Sequence, residues 1–436
     1  MSNNTKETFV IQGLNGKQTL SGSIAVHGAK NAALKAMAAA VLFDGPVTLE
    51  NIPDNADVGV MGEVLSKLGA SVQRTSEHSF IIDPSSIATT DIDAELAQNM
   101  RSSVVLTGPL LARFGKVSFP APGGCVIGTR PIDLFVEGYK KMGATVNIID
   151  DATYDISVAS GVAATEIFFN IQSVGGTETL MMAAVLGTGT TILRNCAMEP
   201  EIVNVAEWLN AAGADIQGVG TTTIIITGTG GKLLASKVSY RAIPDRIEAA
   251  SFLIMGALSA REITIENCEP RHMEAVIHLL QGSGVEMKIG KDRVTVKGLS
   301  GPRPFNVRTH EYPGFPTDIQ APIVTYLTQA TGESTIFETI FEGRFKYVED
   351  LSQMGASITV MNPREILIKG ATPLRQLPEK DELRAHDIRA GFAVVLAAII
   401  GTGTFTIHNI HLIDRGYERL EERLSKLGVG IVRKVV

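Results

Sequence analysis

The sequence predicts an α/β (α+β) protein of two domains, each assembled from three copies of one helix–strand repeat. Three observations lead there. Helices ending in Leu/Met-Gly-Ala or a near variant close at Gly69, Gly143, Gly213, Gly284, Gly355 and Gly428, in steps of 70 to 74 residues. Each is preceded by a short β-branched strand, and that strand by a helix of small and apolar residues. The 436 residues exceed what one core ordinarily serves, so six repeats divide as three and three.

Repeat three displays the plan. Residues 176–186 read as the first helix, which Gly187-Thr-Gly189 stops. Residues 190–194, rich in Thr and Ile, read as a strand. Residues 201–212 read as an amphipathic second helix with Val205, Trp208 and Leu209 on one face. Gly213 then turns the chain into further strands, including residues 221–227. The matching first helices are residues 31–42, 102–113, 247–259, 319–328 and 390–400. Helices that are apolar all round belong inside a domain, so three of them should sit within a wall of sheets and outer helices. Residues 9–26 carry leading strands with no repeat before them, and they are expected to complete the C-terminal domain. The chain then crosses near His27-Gly28 and Pro244-Asp245, giving domains of residues 29–243 and of 1–28 plus 244–436.

Hydrophobic content of 44% and charged content of 19% are those of an ordinary globular protein. A net charge of −7 argues against general affinity for nucleic acid or anionic membrane. The apolar run 393–400 is too short to span a bilayer, and the first residues lack the apolar stretch of a signal peptide. Three cysteines do not suggest a disulfide framework. A cytoplasmic protein with reduced thiols is expected.

Function must lie where the repeats differ. Just before the six first helices stand Lys30, Arg101, Ser173, Arg246, Asp318 and the pair Asp387/Arg389. Helix N-termini carry unpaired N–H groups and partial positive charge, so cations added there make anion sites. Asp318 and Asp387 also suit the role of helix cap, and the two roles can coexist. At the openings of the second helices stand Asp57, Arg130, Glu201, His272, Arg344 and Arg415. Single surface charges are commonly structural. Seven cations at two repeat positions of an acidic protein point to a small polyanion bound between the domains.

Repeat two alone carries an insertion, residues 120–131, whose prolines and glycines make a shaped surface loop. Cys125 lies in it, near Arg130, where a thiol should ionise readily. Cys196 and Cys268 end matching strands in repeats three and four and read as buried structural residues. The glycines around 218–220 and 228–231 fit hairpins, lacking the spacing of a nucleotide fingerprint. His408 and His411 have no partner at metal-site spacing, and residues 381–386 read as a solvated turn. No metal and no cofactor are expected.

With these residues in place, the whole chain resembles the UDP-N-acetylglucosamine enolpyruvyl transferase family. The matching motifs run in the family's order: Gly28-Ala-Lys30-Asn31, Met100-Arg101-Ser102, Pro122-Gly-Gly-Cys125, Gly128-Thr-Arg130-Pro131-Ile-Asp133, Phe315-Pro-Thr-Asp318, Phe341-Glu-Gly-Arg344, Asp387-Ile-Arg389 and Ile413-Asp-Arg415-Gly-Tyr417. The resemblance implies two inside-out α/β barrels with the active site between them. It implies transfer of enolpyruvate from phosphoenolpyruvate to the 3-hydroxyl of UDP-N-acetylglucosamine, releasing phosphate, as the first committed step of peptidoglycan synthesis. The implied partners are these two small molecules, with no nucleic acid and no membrane insertion.

The resemblance also implies roles. Cys125 is the expected proton donor, able to form a covalent adduct with phosphoenolpyruvate and to be alkylated by fosfomycin. Asp318 is expected to hold the 3-hydroxyl and take its proton, with Lys30 and Arg415 as further catalytic groups. Lys30, Asn31, Arg130, Arg344, Asp387, Arg389 and Arg415 are the implied phosphoenolpyruvate contacts. Arg101, Arg130, Pro131, Ile132, Asp133, Leu134, Ile171, Gln172, Ser173, Val174, Asp318 and Ile340 are the implied nucleotide-sugar contacts. Two departures fall at the nucleotide end: Phe135 stands where related members often carry histidine, and Ile171-Gln172 where a lysine often precedes Ser173-Val174.

Two other readings compete. The sister enzyme acting on shikimate 3-phosphate shares fold and donor, but the Pro-Gly-Gly-Cys125 loop and the Lys30-Asn31 pattern argue against it. A ring-forming binding protein such as a DNA sliding clamp also repeats six related units. It would spread Lys and Arg over helix surfaces rather than concentrate them at helix starts.

Overall fold

The structure, a computed structural model, describes residues 7–120, 132–149, 153–378 and 382–435. They form two compact units, one within residues 28–243 and one joining the chain up to His27 to the chain from Pro244 onward. Cys125, Arg130 and Pro131 lie outside the described residues. No helix among the described residues is long and apolar enough to cross a membrane.

The first helices of repeats one to three are Lys30–Ala39, Thr107–Phe114 and Val174–Val185. Those of repeats four to six are Arg246–Ser259, Gln320–Leu327 and Ile388–Ile400. They are buried around nearly their whole circumference, as their lack of a polar face requires. In repeat two the expected helix begins late, after a 3₁₀ turn at Arg101–Leu106, whereas Gln320–Leu327 of repeat five, led in by a 3₁₀ turn at Thr317–Ile319, starts within one residue of expectation. Proline explains the delay. Pro109 is the third residue of the α-helix, and a proline ring clashes with a helical carbonyl four residues earlier.

The second helices are Ala56–Leu68, Asp133–Lys141, Pro200–Ala211, Glu274–Gly282, Tyr347–Gln353 and Leu420–Lys426. All six closing glycines have φ between 85° and 111°, the left-handed conformation that ends a helix at little cost only for glycine. A further helix, Ala94–Asn99, was not expected; Asp93 caps it by accepting from the Leu96 N–H.

Each repeat has its own sheet. In five of them an incoming strand runs parallel to the strand after the first helix, and two antiparallel strands complete the order. The described part of repeat two has three antiparallel strands. Chain ends close both rings. Tyr240–Arg241, from the end of repeat three, supplies the incoming strand of repeat one. In the other unit, Leu20–Ala25 supplies the incoming strand of repeat four, while Glu7–Gln12 lies between Thr404–His408 and Gly430–Val435 of repeat six.

One detail recurs at the end of the strand that follows the first helix. Asn51, Asn195, Asn267 and Asn409 sit there at φ of 54° to 60°, a conformation asparagine tolerates. The side-chain amides of Asn51, Asn195 and Asn267 donate to carbonyls just beyond the incoming strand, on Ala242, Phe169 and Val26. Repeat five breaks the rule with Glu338.

Residues 382–386 are not the expected solvated turn. Leu383–Arg384 pairs with Thr404–His408 as repeat six's incoming strand, and His386 lies 2.8 Å from Asp350, whose carboxylate raises its pKa. The repeat demands an incoming strand here, and that demand outweighs the polar local sequence. Cys196 and Cys268 are buried free thiols, and burial pushes both up to about 11.

Within residues 28–243, Glu178 is 1% exposed on the first helix of repeat three. Burial pushes its carboxyl up to about 7; Lys35 opposes this, and Glu201 and Glu199 add to it. The Lys35 ammonium stands 3.2 Å from Oε2 without hydrogen-bond alignment, so attraction only partly offsets desolvation. A raised carboxyl costs nothing while protonated in both states. Stability is therefore expected to fall as pH rises from the unfolded value of 4.5 through about 7, by about 3 kcal/mol in all. Thermal midpoints across pH 5–8 should decline less in Glu178→Gln than in the wild type. Equal slopes would remove Glu178 as the cause.

Candidate active site

Within residues 28–243, Gly28 opens the approach to the first helix. A Cβ there would lie 1.7 Å from the Asn51 carbonyl oxygen, so only glycine fits. The Ala29 N–H then donates to the Ile243 carbonyl at 2.7 Å, and Lys30 follows as the first helical residue. Its ammonium meets Asp57 at 3.0 Å, and both side chains are largely buried. Asp57 opens the second helix of the same repeat, just after Asn55, which caps it. Asn31 is half-buried beside Lys30, and Arg101 is half-buried at the start of its 3₁₀ turn.

The expected nucleotide residues of this unit differ in exposure. Ser173 caps its helix by accepting from the Gly176 N–H, Val174 is the first residue of that helix, and Gln172 donates to the Cys196 carbonyl. Ile171 is 66% exposed. Ile132 is buried, Asp133 is exposed and Leu134 half-buried. Phe135, one of the two departures, lies on the helix Asp133–Lys141. It is 6% exposed and part of the hydrophobic core of its unit, because it falls on the inward face of an amphipathic helix.

The terminal unit builds a tighter cluster. Asp318 receives the Arg344 guanidinium at 2.8 Å on Oδ1, and Arg389 Nε lies 3.5 Å from Oδ2. Arg344 and Arg389 expose 4% and 5% of their side chains, Asp318 30%. Burial opposes the charge of Arg344, yet Asp318 and Asp387 outweigh it and hold its pKa above the ordinary value. The pKa of Arg389 is also raised: burial again opposes, while Tyr417, Asp318 and Asp245 prevail. The Arg389 guanidinium lies 5.4 Å from the centre of the Tyr417 ring. Its Nη1 is buried without a hydrogen-bond partner among the described residues. A buried donor in that state is costly to leave unsatisfied and ready for an anionic ligand.

The two expected caps part company. Asp387 is one, accepting from the N–H groups of Arg389 and Ala390. Asp318 is not; it lies inside the 3₁₀ turn and spends its carboxylate on arginines. Ile340 and Arg415 are half-buried, and Arg415 lies in the turns ahead of the last helix rather than within it. Likewise His272 falls in the turn Pro270–Met273, and Arg344 stands just before Tyr347–Gln353. Arg246 is drawn toward the Tyr312 ring, 5.4 Å away.

The two repeat positions that hold most of the cations thus meet inside single repeats. Lys30 with Asp57 and Asp318 with Arg344 are the same pair with opposite polarity. The sequence missed Asp57, Thr317 and Glu338 as members of this machinery. For Asp57 the signal was present, since it stands where Arg344 stands. Such an arrangement fixes positive charge beside a carboxylate that can accept a proton, a setting for chemistry on an anionic substrate.

A family model described as EPSP synthase (3-phosphoshikimate 1-carboxyvinyltransferase) matches residues 14–424. The chain is 40% identical over 420 residues to the UDP-N-acetylglucosamine 1-carboxyvinyltransferase of Desulforapulum autotrophicum, covering 96% of this chain and 98% of that protein. It is 41% identical over 430 residues to the protein of that name from Koribacter versatilis, covering 98% and 96%. Among solved structures, the enolpyruvyl transferase NikO from Streptomyces tendae gives a TM-score of 0.87 at 25% identity, covering 99% of this chain and 100% of that one. An EPSP synthase from Acinetobacter baumannii shares the fold, with a TM-score of 0.71 at 17% identity over 99% and 100%.

Proposed function

Because the chain belongs to the UDP-N-acetylglucosamine 1-carboxyvinyltransferases, within the wider EPSP synthase family, we propose that it transfers the enolpyruvyl group of phosphoenolpyruvate to the 3-hydroxyl of UDP-N-acetylglucosamine. Phosphate is released, and the product feeds peptidoglycan synthesis. The observation that carries the site reading is Asp318, a half-exposed carboxylate held by two buried arginines, one of which keeps an unsatisfied donor.

The reaction is an addition followed by an elimination. Cys125 delivers a proton to the methylene carbon of phosphoenolpyruvate, and the neighbouring carbon becomes electrophilic. The sugar 3-hydroxyl bonds to that carbon while Asp318 takes its proton. The tetrahedral adduct then loses phosphate, which carries away the proton that Asp318 took, while the Cys125 thiolate recovers a proton from the methyl carbon as the double bond re-forms. Lys30, Asn31, Arg130, Arg344, Arg389 and Arg415 bind the phosphate and carboxylate, and Asp387 supports that set by capping the helix that carries Arg389. Arg101, residues 130–134, residues 171–174 and Ile340 hold the nucleotide sugar. Negative charge moves among oxygens through both steps, and cations fixed in advance stabilise it without reorganising. The buried thiols of Cys196 and Cys268 suit a reducing compartment, in keeping with the cytoplasm.

The test is phosphate release from phosphoenolpyruvate with a panel of acceptors. Release is expected only with UDP-N-acetylglucosamine; turnover of shikimate 3-phosphate instead would sink the assignment. Fosfomycin is expected to alkylate Cys125, as read by peptide mass spectrometry. A label on Cys196 or Cys268 would contradict their burial.

A further inference from the structure

Glu338 is fully buried and belongs to no set of residues assigned above. Its Oε1 accepts from the Thr309 hydroxyl at 3.0 Å and from the N–H groups of Ile340 and Phe341 at 2.8 and 3.0 Å. Its Oε2 accepts from the Thr317 hydroxyl at 2.8 Å. That hydroxyl in turn accepts from Arg344 Nη1 at 2.7 Å, while Arg344 Nη2 holds Asp318. Four donors on one carboxylate make a costly burial tolerable. They also tie two separate segments, residues 309–318 and 339–344, to one group.

The repeat gives a reason to regard this as specialisation. In repeats one, three and four the strand-ending asparagine bridges to the carbonyl beyond the incoming strand. In repeat five Thr339 makes that bond, its hydroxyl donating to the Thr309 carbonyl at 2.6 Å. Position 338 is thereby released from its scaffold duty, and the residue found there faces the Asp318–Arg344 pair.

We propose that Glu338 is a positioning residue for enolpyruvyl transfer: it fixes the proton of the Thr317 hydroxyl so that the oxygen lone pair is offered to Arg344, which in turn holds Asp318. The Thr317 hydroxyl has one proton. While Glu338 accepts it, the oxygen can only accept from the guanidinium. An amide at 338 would place an N–H donor against that oxygen or give up the loop N–H groups, and Arg344 would lose an anchor. Small displacements of a reacting carboxylate are expensive in rate. This inference rests on the reading of Asp318 and Arg344 as parts of the transferase site.

The experiment is steady-state phosphate release by the full chain for wild type, Glu338→Gln, Thr317→Val and the double variant, with thermal midpoints for each. Glu338→Gln and Thr317→Val should each lower kcat by about 10- to 100-fold, since misplacement of about 1 Å can cost two orders of magnitude. KM for the nucleotide sugar should stay within about threefold, and the double variant should be no worse than the poorer single one, because coupled residues are not additive. If Glu338→Gln does not fold, Glu338→Asn replaces it, carrying the residue that four other repeats use. A folded variant within twofold of wild-type kcat, or losses that multiply in the double variant, would overturn the proposal. If the wild type uses another acceptor, the functional reading fails, and the same comparison with that acceptor still judges the coupling.

Discussion

Asp318→Asn is expected to lower kcat by roughly 10²- to 10⁴-fold, the span usual for loss of a general base, with the fold intact. Asparagine keeps the volume and one oxygen for the 2.8 Å bond from Arg344. It cannot take the proton of the attacking hydroxyl. It also removes the negative charge that holds Arg389 Nε at 3.5 Å. Both guanidinium groups are buried, so losing their shared counter-charge should also lower the thermal midpoint by a few degrees, in line with about 1–2 kcal/mol. Phosphate release with both substrates saturating measures the first effect, and a thermal scan the second. Retention of more than a tenth of wild-type kcat would remove Asp318 from the proton-transfer role.

Lys30→Met should damage both activity and stability. The ammonium is paired with Asp57 at 3.0 Å between two largely buried side chains. Removing one member of such a pair weakens the compensation of the other's buried charge, at up to about 3–5 kcal/mol. The same substitution removes a cation from the proposed phosphoenolpyruvate set, so the KM for phosphoenolpyruvate should rise at least about tenfold, as a charge-assisted hydrogen bond is worth about 1.5–3 kcal/mol. Chemical denaturation and substrate titration separate the two effects. Unchanged stability would mean that the other interactions of Asp57 suffice to hold its charge; unchanged KM would place Lys30 outside the substrate set.

Much of the fold was legible because the repeat wrote it six times. Closing glycines, all-apolar first helices and β-branched strands are local signals, and the chain obeys them. The failures share a cause. The late start of repeat two's first helix follows from Pro109, whose effect reaches back a full turn. The strand at Leu383–Arg384 exists because repeat six needs a parallel partner, which its own residues do not announce. At the site, counting from the glycines found Lys30, Arg344, Asp318 and Arg389, since each occupies a repeated position. It could not show that first-helix and second-helix positions pair within a repeat, because partners lie 26 or 27 residues apart. Glu338 was invisible for the same reason: its meaning depends on Thr309, 29 residues earlier, and on Thr339 taking over a bond asparagine makes elsewhere.

The way the rings close bears on how the chain is made. The described strands within residues 28–243 pair only with one another, with Tyr240–Arg241 completing repeat one. Emerging from the ribosome amino end first, this stretch can finish folding before the rest is synthesised. The strand Glu7–Gln12 has no such option. It is sandwiched between Thr404–His408 and Gly430–Val435, so it must wait, unpaired, while about four hundred further residues are made. An isolated 28–243 fragment should therefore give a cooperative melt by itself, while deleting residues 1–12 should leave the other unit with an open sheet edge and a tendency to aggregate.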